Sequence, residues 1–255
     1  MSVTYNNLDI LAVLIGSFVT LLASSLVLRN VKLRKIPTIE ASIEAVRVAA
    51  EKGTPLLFDT GWTGVQFGAS AMTLTTLCFV PATLELLRYT SAEAGKLGVR
   101  IITGTTNSVY AMQSTDFMQA GYAMGGHPEM FRQDDIMYYP DNTVLNFSER
   151  ELIRRLHIGA AVMVGGHSQS SNVVIYEALA QEGAMLVAGE IWDNDNSMAA
   201  LCADYVSFAE ENTAIAAYLT DDPMPKAVLA GEDLIKGFLI GFLVVGTFLK
   251  FFKVI

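Results

Sequence analysis

Residues 157–190 read HIGAAVMVGGHSQSSNVVIYEALAQEGAMLVAGE. Two short apolar runs, AAVMV at 160–164 and AMLVAG at 184–189, bracket a helical stretch from about Ser170 to Gln181. Strands in such a unit are continuous apolar runs because both faces of a parallel sheet are covered. The same alternation extends in both directions. Upstream, Pro37 opens an amphipathic helix with Ile39, Ile43, Val46 and Ala50 on one face, closed by Gly53. Strands are predicted at 56–59, 99–103 and 135–139, with helical segments between them. Ser148, three residues before Glu151, is expected to cap the helix that leads into 160–164. Downstream come a short helix at 198–203, a strand at 205–209 and a last helix through AIAAYL. The expected fold class is α/β, a Rossmann-like and mostly parallel sheet with helices on both faces.

The flanks differ from this body. Residues 10–28 are 19 in a row without a charge, about the length that crosses a hydrocarbon core. No Lys or Arg precedes them, whereas Arg29, Lys32, Arg34 and Lys35 follow, which favours a retained anchor over a cleaved leader. The positive-inside rule then places the amino terminus outside and the body in the cytoplasm. At the other end GFLIGFLVVGTFL, residues 237–249, lies between Lys236 and Lys250. Its 13 uncharged residues are few for a span, but adjoining apolar residues lengthen it, and Gly237, Gly241 and Gly246 offer faces for helix contact. The expected organisation is an anchor and basic junction over 1–35, a cytoplasmic domain over 36–233 and a membrane helix over 234–255.

Charge follows the same division. Of the net −9, residues 36–235 carry −15 and the two ends +6. An acidic body repels phosphate backbones, so nucleic acid is not an expected partner. Membrane lipid is, with the four basic residues after the first apolar run facing anionic headgroups. Residues 61–84 contain no charge and suit a buried or subunit-contacting helix. Cys78 and Cys202 are expected to be reduced, buried thiols, and Met112, Met118, Met124, Met130 and Met137 to fill core or subunit contacts.

Ligands of open α/β sheets sit beyond the carboxyl ends of the strands. Those ends read DTGWTG, TGTTN, PDN, GGHSQSSN, GEIWDNDNS and EENT. The candidate ligand-binding residues are accordingly Asp59, Thr60, Thr105, Asn107, Gly165, Gly166, His167, Ser168 and Glu190. Plain polar loops remain the competing explanation. Gly166-His167-Ser168-Gln169-Ser170 approximates a nucleophile elbow, yet a hydrolase of that kind needs a histidine downstream, and His167 is the last in the chain. Ser168 is therefore not expected to be an acylating nucleophile; an anion site at the following helix start, or simple capping by Ser168, Ser170 or Ser171, remains. No GxGxxG or Walker loop is present. Asp193, Asp195 and Ser197 have the 1-3-5 spacing of a calcium loop, but Met198 stands where that loop needs Gly. The sequence names no cofactor.

The segments LLRYTSAEAGKLGVRIITGTTN (residues 86–107) and HIGAAVMVGGHSQSSNVVIYEALAQEGAMLVAGE, with the two apolar flanks, resemble an uncharacterised family of membrane-anchored prokaryotic proteins, known only as a domain of unknown function. The resemblance is one of layout. It implies the α/β fold and the membrane setting, and supplies no reaction or site residue. The expected function is a membrane-anchored scaffold or accessory subunit that self-associates or joins other membrane subunits. The alternatives are a small-ligand or cation sensor at the strand-end rim, or an enzyme with an unrecognised site.

Overall fold

The structure, a computed structural model, describes residues 34–61, 71–167, 169–190, 193–208, 210–220 and 223–251. Residues Lys35–Leu219 form one compact unit, and the carboxyl-terminal helix belongs to a second.

Among the described residues the first unit has six strands: β1 (Leu56–Gly61), β2 (Ile101–Thr105), β3 (Ile136–Tyr138), β4 (Ala160–Gly166), β5 (Met185–Glu190) and β6 (Tyr205–Phe208). They pair in the order β3-β2-β1-β4-β5-β6, and every pairing is parallel. Between them run α1 (Pro37–Lys52), α2 (Ala71–Leu97), α3 (Ser108–Met124), α4 (Asn142–Leu156), α5 (Gln169–Gln181), α6 (Asp193–Cys202) and α7 (Glu210–Leu219). This is the doubly wound order: the chain builds outward from β1 to β3, returns to the centre and builds the other way from β4 to β6. The switch point lies between β1 and β4.

Alternation along each strand divides the interior into two cores. Leu56, Phe58, Ile101, Val162, Val164 and Val187 face α1, α2, α3 and α7. Their neighbours Leu57, Ile102, Ala161, Met163, Leu186 and Ala188 face α4, α5 and α6. Successive side chains of a strand point to opposite faces, so two covered faces require apolar residues at every position.

Local chemistry fixes the helix ends. Asn107 Oδ1 accepts from the Val109 amide at 2.8 Å and starts α3. Asp141 Oδ1 accepts from the Val144 amide at 3.0 Å and starts α4 seven residues before the expected cap, so Ser148 lies inside the helix. A cap at Ser148 would leave NTVLNF outside the helix, but Leu145 faces the core and draws the preceding turn into it. One expectation about burial is corrected likewise: Cys202 is exposed at the end of α6. Of the methionines named above, Met118 is fully buried in the core, while Met112 and Met124 lie on the surface of the chain.

The second unit contains α8 (Pro223–Phe251). Among the described residues no helix is long and apolar enough to cross a membrane. The uncharged stretch between Lys236 and Lys250 is 13 residues, below the roughly 17–25 of a span. The expected carboxyl-terminal membrane helix is thus not supported, while the expected amino-terminal anchor, with Arg29 and Lys32, lies outside the described residues. Phe238, Phe242, Leu243, Phe248 and Phe251 of α8 are nonetheless exposed.

One glycine ties the fold to the site. Gly61 ends β1 with φ +64°, and a Cβ there would meet His167 Cδ2 at 2.6 Å and the Gly166 carbonyl carbon at 2.8 Å. Gly61→Ala is expected to cost about 1–2 kcal/mol for the left-handed backbone and a further ~1–3 kcal/mol for overpacking. A lowered urea midpoint with unchanged m-value is the measurement.

Candidate functional site

At the switch point three strands end on ionisable residues. Asp59 lies in β1, His167 directly follows β4 and Glu190 closes β5. Strand parity places Asp59 and Glu190 on the α4–α5 face, and His167 reaches between them. Its Nε2 is 3.1 Å from Asp59 Oδ2, and its Nδ1 is 3.1 Å from Glu190 Oε2. All three residues are at most 1% exposed.

Both ring nitrogens therefore face carboxylate oxygens, which only accept. An imidazolium, with two N–H donors, satisfies both contacts at once, and either neutral tautomer satisfies only one. Burial disfavours that charge, but the charges of Glu190 and Asp59 outweigh it and raise His167 well above its ordinary 6.5.

The carboxylates are oriented in turn. The Gly61 amide donates to Asp59 Oδ1 at 2.7 Å. Glu190 accepts from the His167 amide (3.3 Å), the Tyr176 hydroxyl (2.9 Å) and Asn172 Nδ2 (3.2 Å), the last two from α5. Asn212 of α7 donates to the Glu190 carbonyl at 3.0 Å. Burial and then the Glu190 charge push the Tyr176 hydroxyl far up, so it stays a donor.

A third carboxyl enters from α4. Glu149 is 1% exposed, and no amide or donor side chain pairs with its oxygens. The carboxyl rests against Gly104 of β2, which pairs with Asp59, and a side chain on Gly104 would collide with Glu149 Oε1. Burial raises Glu149 well above 4.5, and the charge of Asp59 raises it further. A side-chain hydrogen bond between the two carboxyls raises it as well, the protonated Glu149 donating to the Asp59 carboxylate. Tyr139, beside Gly104, donates its hydroxyl to Met137 Sδ at 3.0 Å.

Of the residues singled out from sequence, Asp59, His167 and Glu190 meet. Thr60 is buried on the opposite face and donates to the Gly104 carbonyl at 3.3 Å. Asn107 caps α3, and the Asn107 amide donates to Thr105 Oγ1 at 3.2 Å. Gly165 and Gly166 complete β4. Ser168 lies outside the described residues, as do the side chains of Asp193 and Asp195. Asp193, Asp195 and Ser197 open helix α6 instead of forming a loop. Among the described residues no three His, Cys, Asp or Glu are placed to hold a metal ion. Of the basic junction residues, Lys35 is exposed and pairs with Glu40 at 2.6 Å, and Arg34 is also exposed. Glu149, Asn172 and Tyr176 were not foreseen.

Fold and site together define a doubly wound α/β protein with a buried His–carboxylate cluster at its switch point. The chain belongs to the family described as Domain of unknown function (DUF6754), whose model matches residues 2–255. No curated protein and no solved structure matches it.

Proposed function

We propose that the protein is a membrane-associated ligand-binding module, its α/β unit holding a small molecule at the strand ends beside Asp59, Glu149, His167 and Glu190. The observation that carries this is Glu149. It brings a third carboxyl into a buried cluster that has one histidine, against the charge of Asp59, and burying like charges together is costly wherever it has no purpose. It stands where open α/β sheets bind ligands. Membrane association rests on the basic residues Arg29, Lys32, Arg34 and Lys35, each contributing about 1 kcal/mol near an anionic surface, with the α/β unit on the cytoplasmic side.

A second proposal, a scaffold or accessory subunit that self-associates or joins other membrane subunits, is favoured by α8. Its exposed Phe238, Phe242, Leu243, Phe248 and Phe251 make an apolar surface of the kind that marks contact with lipid or another chain. Lipid or a second copy would cover it.

One experiment reads both. Native mass spectrometry of the full chain, released from its own membranes in mild detergent, should show an added mass of a few hundred daltons that Asp59→Asn lacks, and its subunit count reports self-association. A bare protein mass in the wild type would defeat the ligand-binding proposal. A strictly monomeric particle with no other subunit would defeat the scaffold.

A further inference from the structure

We infer that the chain self-associates head to tail, the β3 edge of one copy docking against the β6 edge of the next. The inference rests on the scaffold proposal and names the partner, a second copy, and the surfaces that meet.

Both edges of the sheet carry a groove. One of about 940 Å³ runs between α4 and the end of β3, where Met137, Tyr139, Val144, Phe147 and Leu152 line it together with Arg155. Another of about 560 Å³ lies where α1 meets β6, against Glu40, Ala41, Glu44 and Tyr205. Among the described residues β3 pairs only with β2 and β6 only with β5, so each strand has one open side. Exposed apolar side chains gather at the same two places. They are Tyr138, Val144 and Phe147 at the β3 edge, and Leu201, Tyr205 and Phe208 at the β6 edge. Apolar surface of this kind on a folded unit marks contact with another molecule.

Charge selects which edges meet. Residues 36–155, which build β1 to β3, hold 13 acids and 9 Lys or Arg. Residues 156–219, which build β4 to β6, hold 8 acids and neither Lys nor Arg. Two β6 edges would therefore meet with like charge. The β3 edge instead offers Arg132 and Arg155, both exposed, to the exposed Asp204 at the β6 edge. These groups also share a level. Arg132 precedes β3, Asp204 precedes β6, and α4 runs down to Arg155 just before β4 begins. A sheet continued in parallel from one copy to the next sets opposite charges side by side.

The faces match as well. α4 and α6 cover the same face of the sheet, α4 beside β3 and α6 beside β6. Continuation therefore brings the exposed Leu201 of α6 to the groove beside α4. β3 has three residues and Pro140 follows it, which limits main-chain pairing there, so side chains carry the contact. An interface between two unlike surfaces leaves one of each open, and copies add in a row or close into a ring.

Sedimentation of the full chain in mild detergent, over a range of protein concentrations, tests this. The wild type should pass beyond two copies, and added salt should weaken the association. Phe147→Glu and Leu201→Glu replace side chains that are 53% and 80% exposed, positions where substitution changes stability little. Each variant alone should associate at least tenfold more weakly. Mixed in equal amounts, the two should form pairs and stop there, because the intact β3 edge of the Leu201→Glu chain meets the intact β6 edge of the Phe147→Glu chain. That pairing also shows both chains to be folded. Undiminished association of either variant would overturn this inference and leave the scaffold proposal standing, with its contacts elsewhere. A wild type that halts at two copies, a mixture that does not pair, or a different protein lost from Phe147→Glu would overturn it too. A strictly monomeric wild type with no other subunit would remove the scaffold proposal as well.

Discussion

Replacing His167 by alanine should cost about 3–5 kcal/mol, the usual penalty for stripping the partner from a buried ion pair. That is a large fraction of the roughly 5–15 kcal/mol that holds a domain folded. Removing the imidazolium leaves Asp59 and Glu190 at 0% exposure, facing each other across β4 with no positive charge between them. The ends of β1, β4 and β5 then lose the group that ties them. Exposed pairs supply a scale: Lys35–Glu40, with side chains 72% and 65% exposed, should contribute less than about 1 kcal/mol. Urea unfolding at pH 7 measures both. The specific test is a cycle. Adding Asp59→Asn and Glu190→Gln to His167→Leu removes the orphaned charges and should recover most of the loss. A single His167→Ala change costing under 1 kcal/mol would mean that the ring carries no bridging charge.

The same cluster shows how far the sequence could be followed. AAVMV was legible as a strand because β4 is covered on both faces and presents one unbroken apolar run. Strand ends were harder. β1, β2 and β4 each continue past the apolar run, through Thr60–Gly61, Gly104–Thr105 and Gly165–Gly166. Polar or glycine residues end the hydrophobic signal, but the backbone ladder does not depend on them. The site borders that overrun, with Asp59 just before it in β1 and His167 just after it beyond β4, so Asp59, His167 and Glu190 could be placed on a common rim while their contacts could not.

Glu149 was missed for a different reason. The buried face of α4 is Leu145, Asn146, Glu149, Leu152 and Ile153, a helical stripe visible in the sequence as spacings of three and four. An acid on that stripe was the available signal. A helix start at Ser148 hides it, because that start removes Leu145 and Asn146 from the periodicity and places Glu149 in a first turn, where carboxylates are ordinarily solvated. The doublet at Asn172 and Tyr176, four residues apart on α5, carried no comparable mark. Asparagine and tyrosine near an apolar helix are common, and only the fold brings both onto Glu190.

Glu149 also makes stability depend on pH in a direction opposite to that of a salt-bridged acid. Its folded form holds a proton that the unfolded chain gives up above about 4.5, because burial and the charge of Asp59 raise it. Folded protein then binds more protons than unfolded, and stability falls as pH rises. Each unit of separation between folded and unfolded values costs about 1.4 kcal/mol once both have been passed. His167 adds to the slope with the same sign. It is held above 6.5, so its contribution is complete below that value and is lost as pH climbs through the folded one. Between pH 5 and pH 9 the melting temperature of the ligand-free chain should therefore decline. Glu149→Gln separates the two causes, since it keeps the shape of the neutral acid and cannot ionise. It should match the wild type near pH 5, exceed it increasingly toward pH 9, and retain only the His167 part of the slope. Thermal unfolding at unit pH intervals decides the matter. A Glu149→Gln chain less stable than wild type at pH 9 would mean that Glu149 is held as a paired carboxylate.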